Sequence, residues 1–199
     1  MPYLDIIIAV FSSYLIGSLS SAIIVCHIMR LPDPRTQGSG NPGATNVLRI
    51  GGKKAAMITL LGDLLKGVIP VIAAKCWGFD PVALALIAFA AFIGHLFPIF
   101  FRFEGGKGVA TALGCLLALN LPTGLSWMAT WGVIALFFRY SSLSSLTASV
   151  FAPIYIWFFT HEISWTIVIA IMSFILMIRH RTNIAKLMRG EESKIGKKK

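Results

Sequence analysis

Between residues 38 and 49 the chain reads Gly38-Ser39-Gly40-Asn41-Pro42-Gly43-Ala44-Thr45-Asn46-Val47-Leu48-Arg49, and these are residue types that grip an anion. Glycines free the backbone to curl and the proline fixes one turn. Ser39, Asn41, Thr45 and Asn46 supply short hydrogen-bonding side chains just ahead of a cation, Arg49. Backbone N–H groups and hydroxyls on such a loop can wrap an oxyanion. A second stretch, Arg102-Phe103-Glu104-Gly105-Gly106-Lys107-Gly108-Val109-Ala110-Thr111, sets glycines and Lys107 at the head of an apolar run. Backbone donors, the positive end of a helix dipole and a mobile cation together hold phosphate. The GxxxxGK[ST] spacing is missing, so this is not a Walker A loop. Each stretch also has a plainer reading, as a turn-rich or basic connection between membrane helices.

Other polar groups sit close to, or inside, apolar runs. In Arg179-His180-Arg181-Thr182-Asn183-Ile184 the arginines complement a helix C-terminus, whereas His180 and Asn183, three apart, share a helix face and can point into one site. Arg139-Tyr140-Ser141-Ser142-Leu143-Ser144-Ser145 adds hydroxyls, and alone reads as a helix N-cap. Asp63 and Lys66 fall within an apolar run and also share a face. Charges there are costly unless paired, so they are either a mutual ion pair that orients the helix or a functional pair. His95, three residues before Pro98, reads as a helix–helix hydrogen-bonding group rather than a catalyst.

The elements that must position these groups are membrane helices. Hydrophobic residues make up 56% of the 199 and the mean hydropathy is +0.78, too apolar for an ordinary soluble domain. The 18 Lys and Arg outnumber 8 Asp and Glu, but they cluster between apolar runs, which points to anionic lipid head groups and not to nucleic acid. Cys26, Cys76 and Cys115 form no CxxC pair and no metal-ligand cluster stands out, so neither a disulfide nor a metal is expected. The first run lacks a basic n-region and reads as a retained span.

Seven apolar runs are expected as helices, at 4–29, 54–76, 82–101, 108–120, 122–138, 143–159 and 163–179. Arg30, Arg35, Arg49, Lys53, Lys54, Arg102, Lys107, Arg139 and the C-terminal tail fall on alternate connections, which places the N-terminus outside and the C-terminus in the cytoplasm. The fourth run is too short to cross: about 13 residues reach ~20 Å against a ~30 Å hydrocarbon core. Its N-terminus is expected in a protein-lined, water-accessible recess. Pro70, Pro98 and Pro153 lie inside expected spans and should kink them. Under this topology all the polar segments reach one membrane face, and they are expected to meet as a phosphate site open to lipid. Residues 1–190 then form one integral membrane domain, and 191–199 a basic tail whose Lys194–Lys199 end is a disordered arm near anionic lipid.

The chain resembles the bacterial acyl-phosphate-dependent glycerol-3-phosphate acyltransferase family, PlsY, over nearly its whole length. The resemblance rests on Ser39 to Arg49, on His95-Leu96-Phe97-Pro98 leading to Gly105-Gly106-Lys107-Gly108-Val109-Ala110-Thr111, and on Arg179-His180 with Asn183-Ile184. One position departs: the family usually has Lys before the Gly-Gly, where this chain has Glu104. A His-x-x-x-x-Asp motif is absent, which argues against the large acyltransferase class that works on thioesters; after His27 the first Asp is Asp33, one place late.

The resemblance implies a seven-helix inner-membrane enzyme, its site facing the cytoplasm, that moves a fatty acyl group from acyl phosphate to the 1-hydroxyl of glycerol 3-phosphate. The products are lysophosphatidic acid and phosphate, and no cofactor is implied. Carried over from the family motifs, Arg49 and Lys107 clamp the phosphate of glycerol 3-phosphate. Ser39, Asn41, Thr45, Asn46, Gly105, Gly106, Ser145 and Asn183 hold phosphoryl and carbonyl oxygens. Ser39, Lys107, His180 and Asn183 form the catalytic set. The hydroxyl proton passes either to His180 as general base or to the donor's own phosphate. The implied partners are the two substrates, membrane lipids and, transiently, the enzyme that makes acyl phosphate. The alternative from another class is a transporter of phosphorylated metabolites, suited by Asp63, Lys66 and the short helix but not by polar motifs gathered on one face.

Overall fold

The computed structural model describes residues 3–196, and among them the chain is helical throughout, with no strand. The helices are α1 (Tyr3–Gly17), α2 (Ser21–Ile28), α3 (Ala44–Cys76), α4 (Pro81–Leu96), α5 (Val109–Leu119), α6 (Leu121–Phe138), α7 (Ser141–Thr160), α8 (Ile163–Arg179) and α9 (Arg181–Met188), with a 3-10 turn at Ile99–Phe101. They group into two compact units, one ending at Leu119 and the other beginning at Asn120.

In the first unit α1 packs on α4, and α3 packs on α2, α4 and α5. The first apolar run is two helices bent by 42°, not one. The break at Ser18–Ser20 leaves the Leu19 carbonyl without a helical partner, and the Lys66 ammonium supplies one at 2.8 Å. The α3–α5 crossing is close because each helix offers a glycine. A Cβ at Gly67 would strike the Thr111 carbonyl, and one at Gly114 would strike the Leu64 carbonyl. Small residues let membrane helices approach at backbone distance, where dispersion and short polar contacts replace the hydrophobic drive. At the far end of this pair Lys75 Nζ donates to the Ala118 and Leu119 carbonyls, both at 2.7 Å. It thereby satisfies the C-terminal carbonyls that a helix leaves open.

Two expected boundaries move. Helix α3 starts at Ala44 rather than 54, so Thr45, Asn46 and Arg49 stand on its first turns and not in a loop. Gly51-Gly52 does not end this helix but breaks it, with Gly52 at φ 76°, a conformation open mainly to glycine. The non-helical dihedrals inside α3 lie at Gly52 and not at Pro70, where the kink was expected. Helix α4 ends at Leu96 rather than 101, because the residue before Pro98 is pushed out of helical dihedrals (Phe97 φ −131°, ψ 67°). Pro98 therefore sits outside the helix, at the head of the 3-10 turn. Helix α5 is short as expected, at 11 residues.

In the second unit α6 packs on α7 and α7 on α8. Asn120 caps α6, its Oδ1 accepting from the Thr123 N–H at 3.0 Å and hydroxyl at 2.8 Å. Helix α9 turns 59° away from α8 at His180.

Four helices (α3, α4 extended through its 3-10 turn, α6 and α7) are long and apolar enough to cross a bilayer, and the α1–α2 and α8–α9 pairs qualify when each bent pair is taken as one span. Large apolar side chains such as Leu60, Ile69, Leu136, Phe137, Phe158 and Phe174 are exposed, while alanines and serines fill much of the interior. That inversion of soluble-protein packing is what lipid as solvent dictates. The chain is an integral membrane protein.

Candidate active site

The first polar segment is built around one buried asparagine. Asn46 is 1% exposed, and its Oδ1 accepts the Ser39 N–H at 2.9 Å. Its Nδ2 donates to the Pro34 and Gln37 carbonyls at 2.8 and 3.0 Å. Both amide hydrogens are thus used inside the protein, which assigns Asn46 to holding the loop rather than touching a ligand. Gly38 must be glycine here, since a Cβ would collide with the Asn46 Oδ1 and its φ is +65°. With Asn46 as anchor, Ser39, Thr45 and Arg49 are left exposed and Asn41 half-buried.

The second segment is seated on the first. Gly105 and Gly106 are buried, and the Gly106 N–H donates to the His95 carbonyl at 3.2 Å. A side chain at Gly106 would meet the His95 ring, and also the Pro42 carbonyl at 2.9 Å. The Ser39–Gly43 loop and the glycine turn are therefore in backbone contact, with Lys107 half-buried beside them at the entry to α5. A salt bridge joins their flanks: Arg35 Nη1 meets Glu104 Oε2 at 3.0 Å, while Arg35 Nη2 holds Asp33 Oδ2 at 2.6 Å. Glu104, the position that departs from the family pattern, thus ties one polar segment to the other. Hydrogen bonding from the Arg35 guanidinium holds the Asp33 carboxyl below the usual carboxylate range. Its contribution to folding is complete above the ordinary carboxylate pKa and is lost as pH falls through the depressed value.

Beneath the glycine turn lies a buried ionic cluster. Lys66 Nζ is 2.9 Å from Asp63 Oδ1, and His95 Nδ1 is 3.5 Å from the same oxygen, all three residues being at most 6% exposed. Thr111 of α5 adds a hydroxyl bond to the Asp63 carbonyl at 2.9 Å. The cluster joins the α1–α2 break, the middle of α3, the end of α4 and the start of α5. His95 stands at the point where the cluster meets Gly106.

The second unit carries the remaining candidates. His180 is buried at the α8–α9 bend, and its Nδ1 lies 2.8 Å from the Leu176 carbonyl. A carbonyl only accepts, so Nδ1 bears the hydrogen and the neutral ring keeps its lone pair on Nε2. Asn183 Nδ2 donates to Glu192 Oε1 at 2.8 Å. The Ser145 hydroxyl donates to the Ser141 carbonyl at 2.9 Å and accepts from Trp131 Nε1 at 3.1 Å, so its hydrogen is used within the helix pair. Ser142 instead aims its hydroxyl at Glu192 Oε1, also at 2.8 Å.

The first unit thus carries Ser39, Asn41, Thr45, Asn46, Arg49, Gly105, Gly106 and Lys107, with the Ser39–Gly43 loop against the glycine turn, and the second holds Ser145, His180 and Asn183. Sequence reasoning missed Arg35, Asp33 and Glu192. The signal for Glu192 was present, since Glu191 and Glu192 are the acidic residues of an otherwise basic tail. The tail is not a loose arm as far as Gly196: Ile195 exchanges hydrogen bonds with Arg139, at 2.6 and 3.0 Å, and Lys194 Nζ stands 5.7 Å from the Tyr140 ring centroid. Residues 197–199 of that expectation lie outside the described residues.

Comparisons with known proteins converge on one family. The family described as glycerol-3-phosphate acyltransferase matches residues 7–190. A glycerol-3-phosphate acyltransferase of Methylococcus capsulatus is 53% identical over 187 residues, 94% of each chain. That of Ralstonia pickettii is 54% identical over 203 residues, covering 100% of this chain and 98% of its own. Among solved structures, PlsY, an integral membrane glycerol 3-phosphate acyltransferase in its glycerol 3-phosphate form, superposes with a TM-score of 0.92 at 36% identity over 96% of both chains. A lysophosphatidic acid form of PlsY gives 0.89 at 35% identity over the same share. Matched over almost its whole length by sequence and by fold, the chain is a member of the PlsY family of integral membrane glycerol-3-phosphate acyltransferases.

Proposed function

We propose that this acyltransferase takes its acyl group from acyl phosphate and delivers it to the 1-hydroxyl of glycerol 3-phosphate, giving lysophosphatidic acid and inorganic phosphate. The observation that carries the reading is the seating of the Ser39–Gly43 loop on the Gly105–Gly106 turn, because two phosphate-bearing substrates call for two adjoining sets of anion donors. The existence of a lysophosphatidic acid form of PlsY supports the product. Family membership displaces the transporter alternative.

In this reading Arg49 and Lys107 hold the phosphate of glycerol 3-phosphate. Ser39, Asn41, Thr45 and Asn183 bind phosphoryl and carbonyl oxygens, with Asn46, Ser145 and the buried Gly105-Gly106 turn positioning the segments that do so. The acceptor oxygen bonds to the acyl carbon, the bond from that carbon to the bridging oxygen breaks, and phosphate leaves with the electron pair. The proton goes to His180 Nε2 or to a phosphate oxygen of the donor. A mixed anhydride carries a good leaving group, so the protein's task is to orient the hydroxyl and neutralise phosphate charge.

The same proposal has seven membrane-embedded segments, α1–α2, α3, α4, α5, α6, α7 and α8, with the N-terminus outside and the C-terminus in the cytoplasm. It puts the enzyme in the bacterial inner membrane with its site on the cytoplasmic side, a single domain over residues 1–190 and a basic tail beyond it. Transient contact with the enzyme that supplies acyl phosphate fits that placement. The test uses purified protein in detergent, with acyl phosphate and acyl thioesters as parallel donors. Phosphate release that needs both acyl phosphate and glycerol 3-phosphate, with thioesters inert, is expected; transfer from a thioester but not from acyl phosphate would overturn the reading.

A further inference from the structure

After α9 the chain does not run on into solvent. Gly190, at φ 70°, reverses it, and the Glu191 N–H closes on the Lys186 carbonyl at 2.8 Å, the six-to-one bond of a Schellman turn. The returning strap reaches the head of α7. There Glu192 Oε1 receives two donors from two different helices, the Ser142 hydroxyl and the Asn183 amide, each at 2.8 Å. Beyond it the strap is fastened by the Ile195–Arg139 pair of hydrogen bonds.

A carboxylate oxygen and a phosphoryl oxygen ask the same thing of a protein, namely N–H and O–H donors converging on one acceptor. Ser142 is 7% exposed, and its hydroxyl is aimed out of α7 at this acceptor, whereas Ser144 and Ser145 turn theirs back onto the carbonyls of Tyr140 and Ser141. We propose that Ser142 and Asn183 are a donor pair for a substrate phosphoryl oxygen, and that Glu192 occupies this subsite as a tethered competitor which the substrate must displace. The inference rests on the role given above to Asn183 and adds Ser142 to the binding set. A tether of nine positions from Asn183 to Glu192 keeps the carboxylate at an effective concentration of roughly millimolar order, enough to compete with a metabolite. Occupancy by the strap raises the apparent KM by the reciprocal of the fraction of sites left open.

The experiment compares the full chain with Glu192→Ala, Glu192→Gln and Ser142→Ala in detergent. Each substrate is titrated separately, and inorganic phosphate serves as inhibitor and as calorimetric ligand. Glu192→Ala is expected to lower the apparent KM for a phosphate-bearing substrate, and the inhibition constant of inorganic phosphate, by roughly threefold or more, with kcat almost unchanged. Whichever substrate responds names the source of the phosphoryl group. Ser142→Ala is expected to weaken phosphate in both the parent and the Glu192→Ala background, and Glu192→Gln, a neutral acceptor, to fall between. Unchanged phosphate affinity in Glu192→Ala would overturn the strap, as would equal loss of turnover in both Glu192 variants of folded protein. Failure of the parent to use acyl phosphate would strike the proposed reaction alone, since the calorimetric arm needs no turnover.

Discussion

The tautomer of His180 decides what that residue can do. With Nδ1–H fixed on the Leu176 carbonyl, the basic nitrogen is Nε2, and the ring is oriented before any substrate arrives. If Nε2 takes the acceptor's proton, His180→Ala lowers turnover by roughly 10²- to 10⁴-fold and removes the acid limb of the kcat/KM profile against pH. A loss of only a few-fold with the limb intact would assign the proton to the donor's phosphate. The sequence singles this residue out by its spacing of three from Asn183, but the bend between α8 and α9 at His180, which orients the ring, was not expected. That Asn46 anchors its loop could not be read, because whether an amide turns outward to a ligand or inward to the Pro34 and Gln37 carbonyls depends on a loop fold that spacing does not encode. Glu104 was unreadable for the same reason: its partner Arg35 lies 69 positions away.

At the scale of elements, Lys107 stands where it does because α5 is held against α3 through two glycines. Gly67→Leu would drive a side chain into the Thr111 carbonyl and the Cys115 N–H of α5, with only backbone there to yield. A cost of about 1–3 kcal/mol is expected, read as a lower thermal midpoint in detergent, together with a raised apparent KM for glycerol 3-phosphate as the Lys107 turn shifts. Gly132→Ala in α6 is the control, since a Cβ there meets nothing within 4 Å, and it should leave both readings unchanged. A Gly67→Leu protein with the parent's midpoint and KM would show that the close crossing does not position the site. Apolar run lengths gave the helices and the anomaly of α5. They did not give the bend after Gly17 or the continuation of α3 back to Ala44. Both depend on distant groups, Lys66 at the Leu19 carbonyl and the loop folded on Asn46 at the start of α3, that a run-by-run reading cannot bring together.

The proposed orientation of the whole molecule rests on where its charges fall, and one native cysteine can report it. Cys26 and Cys115 are buried and Cys76 is exposed, at the end of α3 beside the exposed Trp77. An aromatic ring at a helix end is a common anchor at the membrane–water boundary. In the proposed orientation, with the N-terminus outside, the 49–54 part of α3 lies toward the cytoplasm, so Cys76, at the other end of the helix, emerges on the outer side. A thiol reagent that cannot cross membranes, added to sealed right-side-out spheroplasts, should therefore label Cys76, and a Cys76→Ser chain should take up none. The reagent should leave Cys76 unmodified in sealed inside-out vesicles until detergent is added. Labelling with the opposite sidedness would invert the topology. It would put Arg49 and Lys107 on the face away from any cytoplasmic glycerol 3-phosphate, so the basic connections would then have to be explained by something other than the site.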